Sequence, residues 1–388
     1  MKRFVEFCRI GRWAIISMIF AVALTGCSSA LGPDQLREKA LQSRSNEVVI
    51  GVVWPFGDHN DLFREGLHLA LEQVNQKGIL GGKMIRLIEE DDGGSVTKGM
   101  AIAQKFAENN TITGVIGHRS SAVTIPASRI YDRAGVVLLS PASTSPKLTD
   151  TRSPYIFRNI PNDNQLGQAL ALYAAGTDNR NIAIYYTNEE YGRGLANAFE
   201  DQAGKSGLKV IDRLSGYKDT ADVRRIAEKW ELLDCDLILV AAPATEGVAF
   251  IRELRAVGMD TPIIGGDALD SEELTAAGEM VQGTVIASVY NPHDSGEINQ
   301  QFREQFTAQY GTEPGKWAAQ AYDSLLLLAH AIEEAGSRSS RETASRLAAM
   351  SGWEGATGQR SFAGNGDVLE MDIIIKKLRN GEFDYSAN

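Results

Sequence analysis

Residues 111–149 have the sequence TITGVIGHRSSAVTIPASRIYDRAGVVLLSPASTSPKLT, whose pattern points to one kind of fold. The apolar, β-branched run Thr111–Gly117 predicts a buried strand. From Val123 to Ala134, apolar residues recur at spacings of four, three and four, which places them on one face of a helix. A glycine then marks the helix stop, and Val136–Leu139 predicts a second buried strand. This order is that of parallel strands joined by a helix.

Two hydroxyl-rich loops follow the predicted strands, His118–Ser121 and Pro141–Thr144. Because parallel strands end at the same edge of a sheet, both loops lie where open α/β sheets bind ligands. The first loop also begins the helix, and the free N–H groups of a helix start favour a small anion such as a carboxylate. The alternative is that Ser120 or Ser121 only caps the helix. The sequence leaves both interpretations open.

The N-terminus predicts export. Four basic residues precede the apolar run Trp13–Leu24, which is too short to span a membrane comfortably. The following residues, LTGC, resemble the lipobox of bacterial lipoproteins, and the resemblance implies that residues 1–26 are removed and Cys27 is diacylated. The alternative is an ordinary signal peptide that leaves Cys27 a free thiol. The polar stretch 27–46 is predicted to be a lipidated tether.

Charge and motif content exclude several classes of function. The net charge is −11, and the first 26 residues hold four basic residues and one acidic residue, so the remainder has a net charge of about −14. Nucleic acid is therefore an unfavourable partner, since phosphate binding needs basic surface. The sequence has no HExxH metal motif and no GxSxG nucleophile motif. We expect no metal, no cofactor and no enzymatic activity.

The alternation of predicted strands and helices continues on both sides of the opening stretch, and a second unit of the same kind starts after Pro161. Such alternation predicts an α/β protein whose parallel sheets are covered by helices on both faces.

Several motifs occur in a fixed order between Glu47 and Lys376: VNQKGILGG, DDGG, VIGHRSS, LLSPAST, FRNIPND, YGRGLA and IIGGD. As an ordered set they resemble the leucine/isoleucine/valine-type extracytoplasmic solute-binding proteins of ABC importers. The resemblance implies the type I periplasmic-binding-protein fold, in which two Rossmann-like lobes are joined by a three-strand hinge and hold a ligand between them. The partners it implies are a small solute and an ABC permease, with the membrane reached only through the lipid.

The resemblance also implies the division into lobes. We place the three crossings near residues 160–162, 290–292 and 352–357. The first lobe is then predicted to comprise residues 47–161 plus 292–352, and the second lobe residues 162–291 plus 353–388.

The same resemblance assigns roles to individual residues. Ser121, Ala142 and Thr144 match the family's contacts to the ligand carboxylate, and they lie in the two hydroxyl-rich loops described above. Asp267 matches the acidic residue that meets the ligand ammonium group, and Tyr191 matches an aromatic residue that faces the cleft. Donors in one lobe and a carboxylate in the other would pair both charges of an α-amino acid.

Other residues depart from the family's pattern. Asp267 stands where a longer glutamate is usual, and Pro243 stands where the family has a tyrosine. The short first loop contributes Trp54, Phe56 and His59, which we expect to form a wall of the pocket. The alternative for these three is a hydrophobic cover over the sheet edge.

Two assignments have further alternatives. Asp267 is equally suited to cap the following helix or to stabilise a turn, and Tyr191 to pack within its own loop. The resulting hypothesis is a lipid-anchored receptor for an amino acid or a close derivative. The competing hypothesis is a sensory or regulatory lipoprotein that uses the same fold.

Overall fold

The computed structural model describes residues 31–57, 61–369 and 371–385 of the 388-residue chain. Cys27, the predicted lipid site, and His59, a predicted pocket residue, lie outside the described residues. Within the described ranges, every helix is too short or too polar to cross a membrane.

The described residues contain fifteen strands, most of them rich in Val, Ile and Leu. They are β1 (Glu47–Trp54), β2 (Met84–Asp91), β3 (Ile112–Gly117), β4 (Val137–Ser140), β5 (Ile156–Arg158), β6 (Asn181–Tyr186), β7 (Lys209–Leu214), β8 (Leu237–Ala241), β9 (Ile263–Gly265), β10 (Val285–Ser288), β11 (Trp353–Gly355), β12 (Gly358–Phe362), β13 (Val368–Leu369), β14 (Ile374–Arg379) and β15 (Glu382–Asp384).

Helices alternate with these strands over most of the chain. They are α1 (Pro33–Leu41), α2 (Phe63–Lys77), α3 (Val96–Glu108), α4 (Ser121–Arg133), α5 (Asp163–Ala175), α6 (Glu190–Lys205), α7 (Thr220–Leu232), α8 (Ala244–Ala256), α9 (Glu272–Thr275), α10 (Glu297–Tyr310), α11 (Lys316–Ala335) and α12 (Ser340–Ala348). Short 3-10 helices cover Pro146–Leu148, Asp267–Leu269 and Gly278–Val281.

The first lobe is built on a five-stranded, all-parallel sheet in the order β2–β1–β3–β4–β5. Strands β3 and β4 are buried along their whole length, as expected for strands covered by helices on both faces. Helix α2 packs directly against α11: a Cβ on Gly66 would come within 2.0 Å of the Ala318 carbonyl oxygen, so only glycine permits this approach. The contact fixes the first turn of α11.

The second lobe is built on a seven-stranded sheet in the order β15–β14–β10–β9–β8–β6–β7. The five strands from β6 to β10 are parallel to their neighbours, while β14 and β15 are antiparallel. One all-parallel sheet and one mainly parallel sheet, both with flanking helices, confirm the predicted α/β class and its two Rossmann-like lobes.

The third connection between the lobes differs from the prediction. Strands β11, β12 and β13 form a small antiparallel sheet that packs on the first lobe, not the second. The Asp323 carboxylate in α11 accepts hydrogen bonds from the backbone N–H groups of Ala356 (2.7 Å) and Thr357 (2.8 Å). The ring of Phe362 meets Phe157 of β5 edge to face at 5.5 Å. The chain therefore crosses between β13 and β14, beyond the predicted boundary at residue 353.

The predicted tether is also shorter than residues 27–46, because α1 docks on the first lobe. Arg37 is fully buried and donates hydrogen bonds to five backbone carbonyl oxygens, at 2.6–3.3 Å, near the C-terminal ends of α3 and α4 and in β3. A guanidinium group satisfies such carbonyls and interacts favourably with the negative ends of helices. Burial lowers the pKa of Arg37 to about 10, which still leaves it charged at neutral pH.

Candidate functional site

A cavity of about 410 Å³ lies between the two lobes, at the carboxyl edges of both sheets. Five of the residues proposed from the sequence line it: Ser120, Ser121 and Ala142 from the first lobe, and Tyr191 and Asp267 from the second. Arg119 and Trp317 of the first lobe also line it.

The first-lobe side presents the start of α4. Ser120 occupies the N-cap position, but its side chain makes no capping hydrogen bond, so the simple capping alternative does not describe its hydroxyl. Ser121 is buried, and its Oγ accepts a hydrogen bond at 3.2 Å from the N–H of Ser145, the residue directly after the second hydroxyl-rich loop. The first N–H groups of a helix have no intrahelical partner, so this wall suits an anion.

Thr144 does not line the cavity. It is buried behind the wall, and its carbonyl oxygen accepts a hydrogen bond from the Asp163 N–H at 2.8 Å. Its hydroxyl lies near the Asp163 carboxyl without forming a full hydrogen bond. Complete burial raises the pKa of Asp163 to about 8, although the Thr144 hydroxyl acts in the opposite direction. At neutral pH the Asp163 carboxyl is therefore mostly protonated.

The predicted aromatic wall is not formed by Trp54 and Phe56. Trp54 is fully buried, stacks on Phe63 with ring centroids 3.8 Å apart, and donates its indole N–H to Asp61 at 3.0 Å. Its ring meets Trp317 edge to face at 5.5 Å. Trp54 thus supports the tryptophan that lines the cavity, while Phe56 packs beside the first-lobe core.

On the second-lobe side, Tyr191 holds Asp267. The Tyr191 hydroxyl donates to Asp267 Oδ1 at 3.2 Å and accepts from the Ala268 N–H at the same distance. A Cβ on Gly266 would lie 2.3 Å from the Tyr191 hydroxyl oxygen, so this contact requires glycine there. Asp267 does not cap the next helix, because Ser271 does so through its own side chain.

Lys316, a residue that the sequence analysis did not single out, occupies the other side of Asp267. Its Nζ lies 3.5 Å from Asp267 Oδ2 and also donates a hydrogen bond to the Asp267 carbonyl oxygen. The ammonium group stacks over the Trp317 ring, 3.9 Å from its centroid. The side chains of Lys316 and Asp267 are only 1% and 3% exposed, so this ion pair between the lobes is shielded from water.

The sequence did contain a signal for Lys316. Gly315 is the N-cap of α11, which makes Lys316 the first residue of the helix. A cation is unfavourable at the positive end of a helix unless an acidic partner compensates for it.

Arg119 was also missed, although it directly precedes the two serines. Burial lowers its pKa, and the nearest carboxylate, that of Asp61, lies 4.0 Å from its Nε. Its guanidinium carbon lies 5.4 Å from the centroid of the Trp317 ring. Arg119 thus adds a positive charge beside the helix start, on the side of the cavity suited to an anion.

A second cavity, of about 450 Å³, adjoins the first and shares Arg119 and Trp317 with it. Lys316 lines this second space together with Asp270 and Lys376, which form a buried ion pair at 2.8 Å. Burial alone would raise the pKa of Asp270, but the ammonium groups of Lys376 and Lys316 outweigh it and hold that pKa below its usual value.

Comparison with known proteins places this arrangement in a family. The model of a family described as periplasmic binding protein matches residues 48–382. The chain belongs to that family. This periplasmic binding protein is 26% identical, over 326 residues, to the leucine-, isoleucine-, valine-, threonine- and alanine-binding protein of Pseudomonas aeruginosa, covering 84% of this chain and 87% of that one.

Solved structures agree with this assignment. An ABC transporter substrate-binding protein from Desulfitobacterium hafniense, in complex with Leu, is 41% identical with a TM-score of 0.82, covering 87% of this chain and 99% of that one. A leucine binding protein from Thermotoga maritima is 26% identical with a TM-score of 0.80, covering 87% and 97%. These matches confirm the predicted resemblance and the type I fold. Proteins of this kind bind solutes for ABC transporters and are not enzymes.

Proposed function

We propose that this periplasmic binding protein captures an amino acid or a close derivative in the cavity between its lobes. The observation that supports the proposal is the polarity of that cavity. One wall offers the start of α4, two serines and Arg119 to a carboxylate, and the opposite wall offers Asp267 and Tyr191. A zwitterion lying across the seam would contact both walls.

The apolar part of the cavity suggests which amino acids fit. Ala142, Pro243, Ala244 and the Trp317 ring give it a largely hydrocarbon surface, suited to an aliphatic side chain. The related protein from D. hafniense was solved with Leu, and the P. aeruginosa relative is named for leucine, isoleucine, valine, threonine and alanine. We therefore extend the proposal to a branched-chain amino acid.

Closure of the lobes would couple binding to transport. The ligand meets the first lobe at Ser121 and Ala142, and closure brings Asp267 and Tyr191 to its far side. Thr144 stays in the proposal as a residue that supports this loop from behind. A solute favours the closed form only by its preference for that form, and the closed form is the one that an ABC permease would recognise.

Location follows from the family and from the N-terminal sequence. Membership in a periplasmic binding protein family implies a place outside the cytoplasm. The LTGC sequence supports a lipid anchor at Cys27 after removal of residues 1–26. Mass spectrometry of the protein purified from membranes would detect the lipidated N-terminal peptide.

Isothermal titration calorimetry tests the ligand assignment. The panel contains L-leucine, L-isoleucine, L-valine and L-alanine, together with leucinamide and isoamylamine, which lack the carboxylate. We expect binding of the free amino acids and a loss of about tenfold or more in affinity for the two amines, because a charge-assisted contact to the first-lobe wall is missing. Binding of uncharged solutes alone would contradict the proposal.

A further inference from the structure

The Lys316–Asp267 ion pair engages the carboxylate that is expected to meet the ligand ammonium group, from the side of the second cavity. Two acceptors of Asp267 face Lys316, namely Oδ2 and the carbonyl oxygen, while Oδ1 accepts from Tyr191. The carboxylate therefore has an opposite charge beside it and one hydrogen bond, both supplied by the protein itself. A buried carboxylate would otherwise be costly and would demand a partner from the solute.

Four buried ionised side chains around this point balance one another. Asp267 and Asp270 supply two negative charges, and Lys316 and Lys376 supply two positive ones, all with side chains no more than 9% exposed. Asp163 adds no full charge at neutral pH because its pKa is raised. An ammonium group from the solute would be a further cation beside this balanced set, and would have to displace Lys316 or be repelled by it.

We propose that Lys316 is a specificity-determining residue that takes the place of the ligand ammonium group, so that the cavity accepts carboxylates lacking this group about as well as the matching amino acids. The inference rests on the proposed function, since it assumes that the carboxylate end of the solute binds at the start of α4. Its ligand class is the branched aliphatic carboxylate, with or without an α-ammonium group.

Removal of the Lys316 charge should therefore make the protein prefer amino acids to carboxylates that lack the ammonium group. In the Lys316→Met variant, closure around an acid without an ammonium group leaves Asp267 buried and unpaired, which weakens binding. The same closure around an amino acid pairs Asp267 with the ligand, which strengthens binding. Both effects raise the affinity for the amino acid relative to the affinity for the acid without an ammonium group.

The experiment compares L-leucine with 4-methylpentanoate, which has the same carbon skeleton without the amino group. We expect wild-type dissociation constants within about tenfold of each other, and a shift of about tenfold or more toward leucine in Lys316→Met. Lys316→Gln is the second variant, since it keeps a hydrogen-bond donor but removes the charge. Lys147→Met is the matched control, because Lys147 also forms an ion pair between the lobes, with Glu190 at 2.9 Å, but its side chain is 63% exposed.

The possible outcomes separate the inference from the proposed function. A wild-type protein that prefers leucine by more than about a hundredfold would overturn the inference, as would an unchanged ratio in both Lys316 variants while leucine still binds. An equal shift in Lys147→Met would overturn it too, because the effect would then belong to any ion pair between the lobes. Wild-type protein that binds neither compound would overturn the proposed function itself. Melting temperatures measured beside the titrations confirm that each variant is folded.

Discussion

Complete burial raises the pKa of the Asp163 carboxyl group, and this makes the stability of the folded protein depend on pH. Its pKa of about 8 in the folded protein lies above the ordinary value of 3.8, so the folded state keeps a proton that the unfolded chain loses. The stability due to this group is fully present below about pH 4 and is lost as the pH rises through about 8.

The variant Asp163→Asn tests this directly. Asparagine stays neutral at every pH, so we expect the decline in melting temperature between pH 4 and pH 8 to be shallower than in the wild type. Thermal unfolding followed by circular dichroism at intervals of pH measures the effect. Asp178→Asn, at an exposed position of the same lobe, should keep the wild-type slope. A slope unaltered by Asp163→Asn would show that the buried carboxyl is not the source of the decline.

Sequence reasoning pointed to residues that line the cavity where their local pattern was informative, and overlooked others where the partner is distant in the chain. Ser121 and Ala142 follow strands of one sheet, so the sheet alone places them together. Lys316 and Asp267 are separated by 49 positions and lie in different lobes, and no local periodicity relates them. Trp54 was assigned to the wall as part of the short first loop, but it is the last residue of β1, and stacking on Phe63 buries it.

At the scale of elements, α1 is held to the first lobe by side-chain contacts, and Arg37 makes the most hydrogen bonds among them. The helix is polar and only nine residues long, so by itself it would be marginal in water. Arg37 holds it to the first lobe through five backbone carbonyl oxygens at the ends of other elements. The polar composition of the segment predicted a tether because the partners of one arginine cannot be inferred from neighbouring residues.

We expect Arg37→Met to destabilise the protein by about 2–4 kcal/mol, because buried carbonyl groups lose a charged donor. Urea unfolding gives the free-energy difference, and limited proteolysis should show new cleavage between residues 33 and 46. Arg44→Met is the control, since Arg44 is exposed and lies in the same segment. Equal stability of the two variants would mean that the docked helix contributes nothing to the folded state.

Other elements followed closely from the sequence. The strands and helices of the two parallel sheets were predictable because strand period, helix period and glycine stops are local properties. The small sheet of β11–β13 was not, since its polar, glycine-rich strands are held to the first lobe by a buried carboxylate of α11. That contact moved the third crossing toward the C-terminus.

At the scale of the whole molecule, the buried Lys316–Asp267 pair joins the two lobes. An exposed ion pair contributes little free energy, whereas separating the partners of a shielded pair is more costly. The same cleft also holds the Lys147–Glu190 pair at its surface, 2.9 Å apart. The equilibrium between open and closed forms should therefore depend on Lys316 and hardly on Lys147.

Small-angle X-ray scattering measures this equilibrium. Without ligand, Lys316→Met should have a larger radius of gyration than the wild type. Loss of the pair leaves the Asp267 carboxylate without its cation, and opening of the cleft would let water solvate it. Saturating leucine should return it to the wild-type value. Lys147→Met should scatter like the wild type. Identical curves for all three ligand-free proteins would show that the pair does not govern closure.

The docking of α1 determines which lobe stays close to the membrane. If Cys27 is embedded in a bilayer, only residues 28–32 separate it from a helix fixed to the first lobe, and five residues extend at most about 17 Å. This linker is thus too short to let the folded part of the protein move far from the membrane. The first lobe then stays at the membrane surface, and the cleft opens and closes by movement of the second lobe.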